Sequence, residues 1–230
     1  MFKKSKNSDV YIVGGGPSLS DVDLGTLFDK DTICANKSIF LVPNPNYFIT
    51  VDYTFLRKIN IQEFKNLIVP KFFVANFAVK SLCEVDGAIV DTRESFKRKN
   101  GIGLIYNLNP FDVIIKSRRN NEIGLTFDDF RTGDNSGFCA FQLGVLLGYK
   151  RIHLIGIDLN PDDENTHGHD GYGESHEKFY SKTEHYYNMF VSGIKMVLDE
   201  KPDIKIISHS KDSKLNNIIP YVPISRNKKI

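Results

Sequence analysis

A short apolar run that passes directly into three glycines and a proline constrains the fold of this chain more than any other feature. The run is Val10–Val13, and Gly14–Gly16, Pro17 and Ser18 follow it without a break. Such β-branched and aromatic residues favour a strand, and a proline after a turn is typical of the first residue of a helix. A turn between the two exposes backbone N–H groups at a helix start, where a phosphate binds favourably.

The glycine-rich turn matches neither of the two common nucleotide-loop motifs. Leu19 stands where a GxGxxG motif needs its last glycine, and no Gly-Lys-Ser/Thr triplet follows. The turn is therefore open to two interpretations, an anion-binding loop or a tight turn that binds no ligand.

Strand and helix patterns alternate along most of the 230 residues, which is typical of a parallel sheet covered by helices. Because Pro70 interrupts the fourth predicted strand, we expect that strand to be broken or at a sheet edge. We predict a single α/β domain over residues 1–230: a Rossmann-like, mostly parallel sheet with helices on both faces. It includes an irregular insertion with one or two short strands at about 93–131 and a lid at about 160–184. Strands are predicted at 10–13, 31–38, 47–52, 66–76, 87–92, 151–158 (a central strand) and 203–210, and the two main helices at 136–148 and 179–201.

Charge and cysteine content bound the class of protein. The net charge of +2 gives no basic surplus for a nucleic acid partner, and three scattered cysteines without a CxxC pair favour a reducing compartment. We therefore expect a cytoplasmic protein with no signal peptide and no membrane-spanning segment. The lysines near residues 3–6 and 226–229 are either solvated or in weak peripheral contact with the inner membrane face. A homo-oligomer is compatible with this composition.

Polar residues follow several predicted strands. Ligands of open α/β sheets bind beyond the carboxyl ends of the strands, so we expect these residues to surround one crevice that takes a nucleotide. Backbone N–H groups would hold phosphate, and Asn36 a base or ribose. Each residue alone fits a helix cap or a turn former better than a ligand contact, and it is the joint arrangement that favours a nucleotide site. The candidate nucleotide-binding residues are Gly14, Gly15, Gly16, Pro17, Ser18, Asn36, Asp52, Asn135, Ser136, Gly137 and Asp158.

Three segments carry a family resemblance. The stretches GGGPSLSDVDL, CANKS and NSGFCAFQLGVLLGYKRIHLIGID, in this order and spacing, resemble the bacterial sialyltransferases of glycosyltransferase family 42. They also resemble a wider group that includes flagellin-modifying motility accessory factors and archaeal 6-hydroxymethylpterin diphosphokinases. The resemblance runs from Val10 to about Pro223. It implies a CMP-activated donor, a hydroxyl acceptor such as a glycan, no metal and a lid that closes over the donor.

The resemblance also implies roles for single residues. Gly14–Gly16 and Asn36 match the positions that hold CMP, and Ser136 matches the serine of a Thr-Ser-Gly turn. His185 matches the general base, at the start of the helix before the last strand. In the lid, Asn160 takes the place of the first leaving-group tyrosine, and Tyr172 is the nearest candidate for the second. From the residues alone, His176 and His185 could each stand at the mouth of the crevice and take a proton from an acceptor hydroxyl, with a residue on the helix surface as the alternative for His185.

Two departures from the family pattern favour an alternative. This chain has Gly15 and Asp52 where the family has asparagines. A carboxylate beside phosphate needs a cation, so Asp52 and Asp158, which we expect at two neighbouring strand ends, could together hold Mg²⁺. That would favour a Mg²⁺-dependent pyrophosphokinase of the pterin type or a metal-using transferase. The other interpretations are Asp52 as a helix cap, Asp158 as a structural hydrogen-bond acceptor for the turn after its own strand, and a non-catalytic nucleotide-binding module.

The histidines do not predict a zinc site. His167, His169, His176 and His185 lack the spacing of a known zinc motif and have no cysteine partner. His153 lies within an apolar strand, so we expect it to be packed in the core.

Overall fold

The computed structural model of the chain describes residues 7–52, 55, 59–76, 82–85, 88–91, 104–107, 110–117, 122–160 and 176–224. The strands are β1 Asp9–Val13, β2 Thr32–Ala35, β3 Tyr47–Thr50, β4 Lys71–Asn76, β5 Leu82–Val85, β6 Ala88–Asp91, β7 Leu104–Asn107, β8 Val113–Ser117, β9 Arg151–Ile155 and β10 Lys205–Ser208. Seven of them form a parallel sheet in the order β10-β9-β1-β2-β3-β4-β8, and three form an antiparallel sheet in the order β5-β6-β7. The predicted α/β, Rossmann-like architecture is confirmed.

Helices lie on both faces of the large sheet, and each face has its own core. Side chains alternate between the faces with the period of two that a strand imposes. On β1, Val10 and Ile12 pack on the face of the long helices, whereas Val13 packs on the other face. The helices are α1 Ile61–Asn66, α2 Ser136–Leu146 and α3 His176–Glu200, with short 3₁₀ helices at Pro17–Asp21, Leu24–Leu27, Asn36–Phe40, Phe127–Asp129 and Lys214–Asn217.

Helix α2 is buried along nearly its whole length, as its apolar sequence predicts. Every residue from Ser136 to Val145 is buried, and the helix packs against β1, β2, β3 and β9. The side chain of Asn135 caps its first turn by accepting the N–H of Phe138 at 2.9 Å. Gly148 then ends the helix in the left-handed region, at a φ of +88°.

Three strand assignments differ from the sequence expectation. Strand β4 lies inside the sheet between β3 and β8, because Pro70 comes just before the strand, where its missing N–H costs no ladder bond. The run predicted as a fifth strand of the main sheet forms β6 of the small antiparallel sheet. β9 is the second strand from one edge rather than a central strand.

Among the described residues, the range expected to be an insertion holds two short strands, in agreement with the one or two that were expected, and the range expected to be a lid holds the start of a helix. Residues 93–131 include β7 and β8, and β8 is an edge strand of the main sheet. Helix α3 begins at His176, so the end of the expected lid is helical, and residues 161–175 lie outside the described residues. None of the helices that the structure describes is long and apolar enough to cross a membrane.

A buried histidine pair ties the segment after β10 to the sheet. His209 donates its Nδ1–H to the carbonyl of Val222, so its Nε2 is left to accept from Nδ1–H of His153, 2.8 Å away. The ring of Tyr11 stacks on His153 with a centroid separation of 4.3 Å. Nε2 of His153 is buried without a hydrogen-bond partner, 3.8 Å from Asp9 Oδ2. His153 is thus a core residue, as expected.

This pair makes stability dependent on pH. Burial, and secondarily the neighbouring His209, lowers the pKa of His153 to about 4 from an ordinary value of 6.5, and burial also lowers the pKa of His209. Unfolded His153 therefore takes up a proton first as the pH falls, so stability is full above pH 6.5 and is lost between pH 6.5 and about 4. The shift of His153 corresponds to about 3 kcal/mol.

Urea denaturation of the wild type and of His153→Asn at several pH values measures this effect. Asparagine keeps a donor near the position of Nδ1 but does not titrate. We expect a shallower decline of the unfolding free energy below pH 6.5 in the variant. Parallel declines in the two proteins would show that His153 does not carry the pH dependence, since Asp9 and the other carboxylates titrate in both.

Candidate functional site

The polar residues predicted to form a crevice all lie at the carboxyl edge of the main sheet. Because β9, β1, β2 and β3 are adjacent and parallel, the segments that follow them share one edge. The first turn of α2 reaches the same edge, since Ser136 Oγ accepts the backbone N–H of Val51, just after β3, at 3.2 Å. The structure therefore brings a glycine-rich turn, Asn36 and a helix N-terminus to one side of the molecule.

The glycine-rich turn is packed against the turn that follows β9. The N–H groups of Gly14 and Gly16 donate to the carbonyls of Ile155 and Gly156, each at 2.8 Å. Among the described residues the N–H of Gly15 has no acceptor, so it is the N–H of the three glycines that a ligand can use. A Cβ on Gly14 would collide with the Gly156 carbonyl. Two of the glycines are thus needed for close packing, and one offers a donor.

Asp158 holds the end of this turn. Its Oδ2 accepts the backbone N–H of Ser18 at 2.8 Å, and its Oδ1 accepts the hydroxyl of the same serine. The carboxylate is buried, and a Cβ on Gly16 would lie 2.5 Å from Oδ2. Pro17 begins a 3₁₀ helix of only five residues, too short to supply a strong helix dipole. Asp158 is thus a structural hydrogen-bond acceptor, but its partner is Ser18 in the turn after β1 and not, as expected, the turn after its own strand.

The turn after β9 is itself fixed by the segment that follows β10. Ser210 Oγ accepts the N–H of Gly156 at 3.0 Å, and Ser213 Oγ donates to the carbonyl of Ile157 at 2.7 Å. Gly156 and Leu159 have φ values of +63° and +50°, a region that a leucine adopts only under strain. Backbone strain of this kind is frequent at functional sites.

Asn36 follows β2 and is oriented by β3. Its backbone lies in the left-handed region at a φ of +56°, which asparagine tolerates better than most residues. Its side-chain oxygen accepts the hydroxyl of Thr50 at 2.7 Å. Its Nδ2 amide has no acceptor among the described residues, and the residue is half-buried. Asn36 therefore offers two N–H donors at the carboxyl edge of the sheet.

The start of α2 offers further donors. Asn135 acts as the N-cap, so its side-chain oxygen is occupied by the helix itself. Ser136 accepts the N–H of Val51, which leaves its own hydroxyl hydrogen for a ligand. Gly137 is needed for space, because a Cβ there would lie 2.8 Å from Ile157 Cδ1. The positive end of this eleven-residue helix favours an anion.

The expected pairing of Asp52 with Asp158 is wrong. Strands β1 and β2 lie between β9 and β3, so the two residues follow strands three spacings, or about 14 Å, apart. A single Mg²⁺ binds oxygens at only about 2.1 Å. Both oxygens of Asp158 also accept hydrogen bonds from Ser18. Among the described residues no group of three or more His, Cys, Asp or Glu side chains could hold a metal ion.

Of the predicted catalytic and lid residues, the structure describes His185, Asn160 and the helix start at His176. His185 lies on the exposed side of α3, with its ring centroid 5.8 Å from that of Tyr186. The hydroxyl of Tyr186 donates to the carbonyl of Asp134 at 3.3 Å, so this turn of α3 lies beside the segment that leads into α2. Asn160 is exposed just after the turn that follows β9, and His176 is the first residue of α3. Tyr172 lies outside the described residues.

The sequence did not predict the residues whose hydrogen bonds hold Asn36 and the turn after β9 in place. Thr50 ends a strand as an ordinary β-branched residue, and Ser210 and Ser213 fall in a polar segment without a motif. The close packing at Gly156 could have been predicted, because a glycine inside an apolar strand pattern indicates a close approach of two backbone segments.

The fold has solved counterparts. The monofunctional α-2,3-sialyltransferase Cst-I from Campylobacter jejuni matches with a TM-score of 0.53 and 18% identity, over 96% of this chain and 82% of that one. CstII from the same organism, in complex with the substrate analogue CMP-3FNeuAc, matches with a TM-score of 0.51 and 18% identity, over 94% and 86%. A CstII variant in complex with CMP gives a TM-score of 0.53 and 17% identity, over 94% and 86%.

No family model and no curated protein matches the chain in sequence. At such low identity the structural likeness concerns the arrangement of strands and helices. The chain has the Rossmann-like fold of these bacterial sialyltransferases.

Proposed function

We propose that the protein is a glycosyltransferase that moves a sugar from a CMP-activated donor, similar to CMP-sialic acid, to a hydroxyl group of a glycan or another acceptor. The observation that carries the proposal is that one sheet edge holds three donors without an acceptor among the described residues: the N–H of Gly15, the Nδ2 amide of Asn36 and the hydroxyl of Ser136. Solved proteins of the same fold bind CMP or a CMP-sugar analogue.

The donors suit a nucleotide monophosphate leaving group. When the bond between the sugar carbon and the phosphate oxygen breaks, negative charge develops on the phosphate. Gly15 N–H, the Ser136 hydroxyl and the positive end of α2 would stabilise that charge without a metal. Asn36 would donate to the ribose or to the pyrimidine. We do not assign these donors to an ATP-dependent pyrophosphokinase, because the Asp52–Asp158 magnesium pair that motivated it is too widely separated.

The acceptor hydroxyl needs a base. We assign this role to His185, which lies one residue from Tyr186 and hence beside the entrance to α2. Its imidazole would take the acceptor proton as the new bond between acceptor oxygen and sugar carbon forms, and CMP would leave. Asn160, Tyr172 and His176 would belong to the lid that excludes water. A cytoplasmic location and weak contact with the inner membrane face stay predictions.

Thermal denaturation with added nucleotides tests the donor. CMP, UDP, GDP, ADP and ATP would each be added with Mg²⁺ and again with a chelator. Ligand at 100 times its Kd stabilises by about 2.7 kcal/mol, which for a chain of this size raises Tm by about 5–10 °C. We expect CMP to give this shift equally in both conditions. An increase in Tm with ATP that requires Mg²⁺ would contradict the proposal. If no nucleotide changes the Tm, the glycine-rich turn has only a structural role.

A further inference from the structure

Thr50 stands behind Asn36 in a hydrogen-bond relay that joins β2 to β3. Its hydroxyl donates to Oδ1 of Asn36 at 2.7 Å and accepts the backbone N–H of Asp52 at 3.0 Å. The carbonyl of Asp52 lies farther from the same hydroxyl, at 3.2 Å, so the Asn36 oxygen is the better acceptor. Thr50 itself is fully buried.

This relay fixes the orientation of the Asn36 carboxamide. A hydroxyl has one hydrogen to donate, and here the Asp52 N–H occupies a lone pair of Thr50 while the hydrogen points at Asn36. The oxygen of Asn36 is therefore held against the sheet, and both hydrogens of Nδ2 are left for a ligand. Thr50 is β-branched and lies within a strand, so its own χ1 is restricted and the hydroxyl position is rigid.

Without the relay, the carboxamide of Asn36 would be free to rotate. The backbone of Asn36 is already in the left-handed region, and no other hydrogen bond to its side chain exists among the described residues. A donor that must be ordered during binding loses affinity relative to one ordered beforehand. Loss of the Thr50 hydroxyl would therefore lower the affinity for a ligand that binds Asn36, although Thr50 does not contact that ligand.

We propose that Thr50 is a positioning residue, which orients the Asn36 amide as a two-hydrogen donor for an oxygen of the nucleotide. The inference rests on the proposed function, because the nucleotide is the ligand it names. The acceptor on the ligand is a ribose hydroxyl or a pyrimidine carbonyl, each of which accepts from a primary amide.

A double-mutant cycle on CMP affinity tests the relay. Isothermal calorimetry would compare the wild type, Thr50→Val, Asn36→Ala and the double variant. Valine has the shape of threonine without the hydroxyl, and we expect it to weaken CMP binding about tenfold. Asn36→Ala should weaken it at least as much. Because Thr50 acts through Asn36, the double variant should bind CMP no more weakly than Asn36→Ala alone.

Two further variants separate positioning from general structural support. Thr50→Ser restores the hydroxyl and should bind CMP within about threefold of the wild type. Thr32→Val is the matched control: Thr32 is equally buried, and its hydroxyl lies 3.3 Å from an asparagine oxygen, Asn46 Oδ1, but at the opposite end of the sheet. It should lower stability and leave the CMP affinity unchanged.

The outcomes are distinguishable. Failure of the wild type to bind CMP would overturn the proposed function and this inference with it. If the wild type binds CMP, wild-type affinity in Thr50→Val or additive losses in the cycle would overturn the relay alone. Should Thr50→Val not fold, the side-chain amide resonances of Asn36 in the wild type give the answer: they should shift on adding CMP, and unchanged resonances would overturn the proposal.

Discussion

Alanine in place of Gly16 is expected to weaken CMP binding at least about 100-fold and to lower the unfolding free energy by about 1–3 kcal/mol. The backbone of Gly16 has a φ of −66°, which any residue adopts, so the constraint is one of space. The added Cβ would lie 2.5 Å from Asp158 Oδ2 and 2.8 Å from the carbonyl oxygen of Gly156. Relief requires the glycine-rich turn to move away from β9, which displaces the Gly15 N–H. Calorimetry with CMP and urea denaturation measure the two effects.

Gly25→Ala is the matched control for Gly16→Ala. Gly25 is exposed in a 3₁₀ helix, and among the described residues its added Cβ would meet only the flexible side chain of Asp23, at 3.0 Å. We expect CMP affinity in this variant to equal that of the wild type. Wild-type CMP affinity in a folded Gly16→Ala protein would show that the turn does not contribute to the nucleotide site.

Removal of the imidazole in His185→Ala is expected to lower kcat about 100- to 10,000-fold and to leave CMP affinity unchanged, because general-base catalysis contributes a factor of this size. His185 is exposed on α3 and lies beside Tyr186, whose hydroxyl contacts the segment before α2. Its loss should therefore affect proton transfer and not the fold or the donor site. Transfer from CMP-sialic acid to a lactose-containing acceptor, followed by CMP release, is the assay.

Asn188→Ala is the control on the same exposed side of α3, almost one turn along. It should retain wild-type kcat. The loss in His185→Ala should also diminish as the pH rises, since hydroxide replaces the missing base. If kcat of His185→Ala stays within a few-fold of the wild-type value, another group and not His185 acts as the base.

The elements that could be predicted from sequence are those with strong local patterns. Helix α2 is apolar throughout, begins at an asparagine cap and ends at Gly148, and each of these features has its expected place. The strand of Val10–Val13 was equally clear. The prediction failed at Pro70, because sequence alone does not show whether a proline lies within a strand or just before it. The small antiparallel sheet was missed because short strands have weak periodicity.

The candidate site was predicted as a set of residues but not as an arrangement. Asn36, Ser136 and the glycines do share one edge, because parallel strands place their carboxyl ends together. The prediction that Asp52 and Asp158 lie at neighbouring strand ends was wrong, because the local sequence does not determine the order of strands in a sheet. The roles of Gly14 and Gly16 in packing, and of Asp158 in holding Ser18, depend on contacts between segments about 140 residues apart.

The sequence by itself determined the alternation of strands and helices, the buried character of α2 and the residue types that can donate to a nucleotide. These follow from local periodicity, capping and side-chain chemistry, which act over a few residues. Only the tertiary structure decided that two strands lie between β9 and β3, the strand that Asp52 follows, and that the N–H of Gly15 has no acceptor among the described residues. It also decided that Thr50 donates to the side-chain oxygen of Asn36. The reason is physical: hydrogen bonds and steric contacts between distant segments depend on strand order and register, which the whole core selects.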